Sequence, residues 1–438
     1  MFLKSRRFIF WFCMLVVMAF LLAACTSESI KQQQLSSDEE PPEVIEEEAQ
    51  EDIDKGQTIT LVTPDTVMKA PEEKSKYQIH TRLTDFHLLS ESTGVAWGIT
   101  DAALRLYRTQ DYGETWVDIS PSSNVPFGGK LVYGKDIVFT DKDHGWIIRN
   151  KQGSAETVLL NTSNGGESWK ISSIPGTGEV TALSFVSPQQ GWILSTDDLT
   201  RGSEQKSLYR TTNSGGLWNQ IMQNSEYSSA SVPGSVIPRT GSVIGLTFTD
   251  ATVGFATIRE IQSSKLYITR DGGEKWKSSG QVFKNKQLDA CGNVTTGAPK
   301  LLGGRGNSIE VYIPVTCAKN DQSGYFGYFT GDAGKSWNLV SFPNQGIARE
   351  GSLQPVFRRV YDGHRMVNGI IQHSSDMGRT WKAYPRSKLL ADNLANYPNV
   401  VKLQFVSSDV GWMLIETDDK KRSRLMKSSD GGVTWQGI

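Results

Sequence analysis

From about residue 77 to the C-terminus, apolar and polar positions alternate in short runs that are broken by Gly, Asp, Asn and Ser. The fourth unit of this pattern is the clearest, with runs at 242–249 (SVIGLTFT), 254–258 (GFATI), 265–269 (KLYIT) and 275–279. Period-two alternation over such lengths predicts half-buried strands, and the turn residues between them predict antiparallel hairpins. The same order returns as Phe139, Gly145-Trp146 and Leu159-Leu160, as Phe185, Gly191-Trp192 and Leu208-Tyr209, and as Phe405, Gly411-Trp412 and Leu425-Met426. Phe86, Ala96-Trp97 and Leu106-Tyr107 give a first copy. The fifth and sixth units lack the Gly-Trp pair, so their first two strands are the least defined.

Every unit closes on one motif, S/T-x-D/N-x-G-x-S/T-W, at 109–116, 162–169, 211–218, 269–276, 330–337, 374–381 and 428–435. Its central residues are Asp111, Asn164, Asn213, Asp271, Asp332, Asp376 and Asp430, spaced by 53, 49, 58, 61, 44 and 54. One supersecondary unit per period, four strands to a unit, predicts an all-β fold: a seven-bladed β-propeller of four-stranded antiparallel blades over residues 77–438. Residues 435–438 are then the short outer strand of the last blade. The strand-like segment 58–63 (TITLVT) is expected to cover that edge, where unpaired backbone groups need a partner.

Ahead of the array, residues 1–25 begin with Lys4, Arg6 and Arg7 and continue as an apolar run over 8–24. Leu22-Ala23-Ala24-Cys25 resembles the lipobox of a bacterial lipoprotein signal peptide. The resemblance implies cleavage before Cys25, lipidation of its thiol and anchoring at the outer face of the cell membrane, extracytoplasmic. Residues 26–76 open with eleven acids against two lysines, carry almost nothing apolar, and are expected to form a disordered acidic linker. With a whole-chain charge of -1, a leader of +3 and an acidic stretch of -9, the remainder is +5. That is too weak a basic balance for nucleic acid. Of four cysteines only Cys291 and Cys317 lie in the array. In an exported chain they are expected to pair as a disulfide, two buried free thiols being the alternative.

The closing motif is similar to the Asp-box, or BNR, repeat of sialidases, sortilin-type receptors, some xyloglucanases and the photosystem II assembly factor family. In such a turn the Asp or Asn oxygen accepts backbone N–H groups, the glycines at 113, 166, 216, 273, 334, 378 and 432 supply positive φ, and the Trp buries its ring. Seven symmetric copies cannot all be catalytic acids, so the motif is read as structural. The resemblance places these turns on one face with the first-to-second strand turns. Binding then falls to the opposite face, built from second-to-third strand loops and blade connections.

The loops assigned to that face carry Arg149, Arg201, Arg239, Arg259, Arg305, Arg422 and Arg424, a set suited to carboxylate, phosphate or an acidic protein surface. Asp197-Asp198 is the best carboxylate pair there, yet the sialidase Arg-Ile-Pro signature is absent. The histidines at 80, 87, 144, 364 and 373 show no metal-ligand spacing, so no metal and no cofactor is expected. The reading favoured over an enzyme is a monomeric, membrane-tethered binding or assembly propeller for a protein, anionic or glycan ligand. The alternative is a glycoside hydrolase of sialidase or xyloglucanase-like type.

Overall fold

A computed structural model describes residues 59–62, 79–121, 126–149, 156–176, 178–200, 203–224, 235–260, 263–280, 283, 285–319, 322–343 and 353–438. The signal-peptide and linker expectations, with Cys25, and the candidate Arg201 lie outside these residues. The described chain forms a seven-bladed β-propeller in which each four-stranded antiparallel blade is built from consecutive strands. Blade 4 shows the unit: Ser242–Phe248, Gly254–Arg259, Ser264–Thr269 and Lys277–Ser278, within a residue or two of the alternating runs. First strands contact the first strands of neighbouring blades and so line the central bore.

Between blades the packing is aromatic. A phenylalanine of several first strands lies over a glycine at the start of the second, so that a Cβ on Gly145, Gly191, Gly363 or Gly411 would come within 2.5 Å of the ring of Phe139, Phe185, Phe357 or Phe405. The other side of the ring takes the preceding blade's tryptophan. Trp146 stacks on Phe185 and Trp192 on Phe248, each at 3.7 Å. The tryptophan closing the same blade then meets the phenylalanine edge-on, Trp218 at 6.1 Å and Trp276 at 6.0 Å. Stacked and edge-to-face pairs each add about 1 kcal/mol beyond burial of area.

All seven closing turns share one hydrogen-bond scheme. In the last, the Ser428 hydroxyl donates to Asp430 Oδ1 at 2.8 Å and accepts the Gly432 N–H at 2.8 Å, while Asp430 accepts the Thr434 N–H at 2.9 Å. Asn164 and Asn213 accept equally, from Ser168 and Leu217. Two left-handed residues follow each Asp or Asn. In the third turn these are Ser214 and Gly215, not Gly216, because Gly215 stands two places after Asn213, where the other turns place their second left-handed glycine. Six of the seven turns also bond their own first-to-second strand turn, as Gly165 N–H to Asp143 O and Gly431 N–H to Asp409 O, both 2.8 Å. The two sets of turns therefore share a face.

Three features depart from the sequence reading. Ile59–Val62 is a strand, but it pairs with Trp169–Pro175 on the outer edge of blade 2 and not with blade 7. The reason is length: that edge offers seven residues of ladder, whereas the outer strand of blade 7 is only Gln436–Gly437. Next, the first strand of blade 5 is split into Asn293–Thr296 and Lys300–Gly303, both paired with the ten-residue Glu310–Lys319. Here Cys291 and Cys317 are joined, with Cα atoms 5.4 Å apart. Finally, helix α1 (Lys388–Asn396), with Ser387 accepting the Leu390 N–H at its start, bridges blades 6 and 7.

Two expectations follow. Burial raises the carboxyls of Asp111, Asp332, Asp376 and Asp430, but bonds from the following hydroxyl and backbone outweigh it and hold all four below the usual range. Their stabilisation is full above about pH 4, the unfolded value, and is lost as pH falls through the lower folded values. Asp376→Asn with Asp430→Asn should flatten the acid limb of urea midpoints measured from pH 3 to 6, at a neutral-pH cost on the order of 1 kcal/mol. An unaltered limb would show that these turns do not govern acid unfolding. Reduction of Cys291–Cys317, which are 26 residues apart, should lower unfolding free energy by about 3 kcal/mol. A urea midpoint identical with and without reductant would refute that contribution.

Candidate functional site: a basic patch on the loop face

The arginines do not form one patch. Arg149, Arg259 and Arg422 stand on blades 2, 4 and 7, with at least one whole blade between any two. Arg305 lies on the other face: it precedes the 3-10 turn Gly306–Ser308 between the first and second strands of blade 5, beside the closing turn whose Lys335 reaches Asn307. Its loop was assigned to the binding face because blade 5 lacks the Gly-Trp marker of its second strand. Arg239 belongs to a network of both signs. Its carbonyl accepts the Glu204 N–H and the ammonium of fully buried Lys206, while Glu204 also accepts the Ser242 hydroxyl.

Asp197 and Asp198 are consecutive positions of Gly191–Thr200, at register positions opposite Gln205 and Glu204, and consecutive positions of a strand belong to opposite faces of its sheet. Among the described residues, the carboxyl held above its usual range is that of Asp136, raised by burial, and its Oδ2 accepts the Val132 N–H at 2.9 Å. Nearby Glu179 is occupied by Lys135 at 2.9 Å.

Blade 7 does assemble a site. Thr417 to Arg422 forms the tight second-to-third strand loop, pinned by Asp419, which accepts the Thr417 hydroxyl at 2.6 Å and the Lys421 N–H at 3.0 Å. The Thr417 hydroxyl, the Lys421 backbone and neighbouring cations hold Asp419 below the usual carboxylate range. Asp419 is thus spent on the turn and exposed Asp418 accepts from Asn399 at 3.0 Å, while Lys420, Lys421, Arg422 and Arg424 are exposed. Arg422 and Arg424 are two residues apart on one edge and both approach the ring of Tyr397, at 5.9 and 5.0 Å. Arg424 is further set by Asn393 of helix α1 at 2.6 Å.

A cavity of about 590 Å³ opens beside this patch at the seam of blades 7 and 1, lined by Ile79, Thr81, Leu83, Trp116, Tyr397 and Arg424 among others. Its size suits a small-molecule or chain-segment ligand, and its wall mixes apolar groups with the guanidinium. The bore adds positive charge. Lys402 is paired with Asp85 at 2.9 Å. Lys300 is solvent-exposed within the bore yet surrounded by protein, and enclosure together with Lys402 pushes its ammonium down to about 8.

Sequence reasoning missed Tyr397, Lys300 and Lys402 because first strands and the helix carry no motif. It also missed a cluster of Asp362, His364 and His373 on blade 6. A signal for the last did exist, since Gly363-His364 occupies the Gly-Trp position.

The fold and site define the class: a β-propeller carrying a basic, aromatic-backed loop patch. No family model and no curated protein matches the chain. Among solved structures, a prolyl endopeptidase aligns at 10% identity and TM-score 0.48, over 82% of this chain and 49% of its own, so the chain spans about half its length. The polysaccharide lyase Uly1 aligns at 9% and 0.42, over 84% and 96%. The β-propeller domain of Vanderwaltozyma polyspora Nup133 aligns at 10% and 0.41, over 79% and 99%. At such identities and scores these likenesses carry no functional argument.

Proposed function

We propose that this protein is a lipid-tethered, extracytoplasmic binding propeller of Asp-box type, similar to the photosystem II assembly factor-like proteins, acting on an anionic ligand or acidic protein surface through its loop face. The observation that carries the reading is the pair Arg422 and Arg424, both exposed and both set against Tyr397 beside a cavity. Two guanidiniums fixed on an aromatic ring lose little freedom on meeting carboxylates, and the apolar wall formed by Ile79, Leu83 and Trp116 favours a ligand with an apolar part. Lys420 and Lys421 extend the field without fixing geometry. The tether reading rests on Cys25 and its lipobox, and would keep the loop face within reach of membrane-bound partners.

A second reading has one observation in its favour. The raised carboxyl of Asp136, near Glu179 at the loop-face end of the bore, has the character of a general acid for glycoside cleavage.

The two readings separate in one experiment on the purified full-length chain, using polyglutamate and polygalacturonate as probes and a β-glucan and sialoside panel as substrates. Binding should be salt-sensitive and should fall at least about tenfold in an Arg422→Glu, Arg424→Glu double variant, with Arg259→Glu unchanged and the unfolding midpoint preserved. Equal binding by the double variant would overturn the patch. Turnover of any substrate that disappears in Asp136→Asn would replace binding with hydrolysis.

A further inference from the structure

On blade 6 the residue after the second-strand glycine is His364, where blades 2, 3 and 7 place Trp146, Trp192 and Trp412. It performs both tasks that Trp146 and Trp192 perform. The imidazole lies flat on Phe405 of the next blade, 3.7 Å away and tilted 13°, as Trp146 lies on Phe185. It also bonds the carbonyl of Gly431, the residue after Asp430 in the next closing turn, as Trp146 bonds Ser214 and Trp192 bonds Gly272. An imidazole, however, has a second nitrogen that an indole lacks.

That nitrogen, Nδ1, is buried and has no hydrogen-bond partner, on a residue only 1% exposed. Leaving a buried acceptor unmatched is costly, so a group that meets it is to be expected. The surroundings supply the rest of a coordination shell. Asp362 is two residues away on the same strand and His373 is the direct cross-strand partner of His364, so strand geometry puts all three on one face. Asp362 Oδ1 is 3.7 Å from His364 Nδ1 and 3.1 Å from His373 Nε2, and the three donor atoms lie within 4.8 Å of one another. The edges of a tetrahedron with bonds of about 2.1 Å are about 3.4 Å long, between those two separations.

We propose that Asp362 Oδ1, His364 Nδ1 and His373 Nε2 form a binding site for a divalent transition ion of the zinc class. Two imidazoles and one carboxylate suit Zn(II), Co(II) or Ni(II), and not Ca(II) or Mg(II), which take oxygen shells. His373 is 31% exposed, leaving a path for solvent as the fourth ligand. The outer contacts are those that such sites use. The Gly431 carbonyl holds His364 as the tautomer with Nδ1 free, and Arg358 takes Asp362 Oδ2 through Nε at 2.9 Å, turning Oδ1 to the histidines. The guanidinium moderates affinity by its charge. The site lies beside the closing turns, on the face opposite the blade 7 patch, and stands or falls independently of it.

The test uses metal-stripped full-length protein titrated with Zn(II) by calorimetry and with Co(II) by visible absorption. Wild type should bind one equivalent of each with a tetrahedral cobalt spectrum, and Zn(II) should raise its thermal midpoint, whereas Ca(II) and Mg(II) should not. His364→Trp, which installs the residue of the neighbouring blades, should lose binding while its metal-free midpoint is kept or raised. His373→Ala, at a half-exposed position, should weaken binding at least about tenfold and serves should the first variant fold poorly. No saturable binding by wild type, or wild-type affinity in His373→Ala and His364→Trp alike, would overturn the proposal.

Discussion

The ring depends on a phenylalanine held between a glycine and a tryptophan. On one side the first-strand phenylalanine covers a glycine of its own blade, and on the other it receives the tryptophan of the blade before it. Neither contact tolerates an extra carbon, since protein interiors are packed to crystal density. The arrangement is local within a blade and also joins adjacent blades. A chain that repeats it therefore specifies the strands and their assembly at once, with no long-range pairing to search for.

Chemistry appears where this repeat is broken. Blade 5 replaces Gly-Trp with Val311-Tyr312, so Tyr312 leans on Phe357 and bonds Pro355. Blade 6 substitutes an imidazole for the indole. At the seam of blades 7 and 1, Trp412 meets Phe86 only at 5.9 Å and a tilt of 46°, and its indole N–H has no partner. The carbonyl it would have reached, that of Tyr112, is taken by Lys427 at 3.1 Å. A cavity of about 310 Å³ lies there, lined by Tyr112, Trp412 and Lys427 among others, and the larger one beside Tyr397 adjoins it. Imperfect closure of the repeat thus coincides with the concavity at this seam.

Blade number, strand order and the face of the closing turns were legible in the sequence because each is written locally: alternation, turn chemistry and a glycine facing a phenylalanine. The site was legible only in part. Arg422 and Arg424 were identifiable as loop cations, but their aromatic support comes from Tyr397, at the end of a helix that no repeat announced. The face of Arg305 was not legible because blade 5 has Val311-Tyr312 where a Gly-Trp pair would mark the start of the second strand. The disposition of Arg149 and Arg259 depends on angles around the ring, which residue spacing does not encode. Ile59–Val62 was legible as a strand but not in its partner, since edge pairing is decided by which blade leaves the longest ladder open.

Among the described residues the ring closes through side chains and no strand is shared between blades 7 and 1: Gln404 exchanges amide bonds with Leu88 at 3.1 and 3.2 Å, and Arg82 pairs with Glu416 at 2.7 Å. Such a joint is mechanically weak, because it can be unzipped one side chain at a time. The strand Ile59–Val62 changes where a load would arrive. Tension on the chain ahead of Ile59 reaches first the antiparallel ladder on Trp169–Pro175, in the body of blade 2, before it reaches Leu83 and the joint itself. A pull on that segment is therefore borne by the ladder of blade 2 before it reaches the joint between blades 7 and 1.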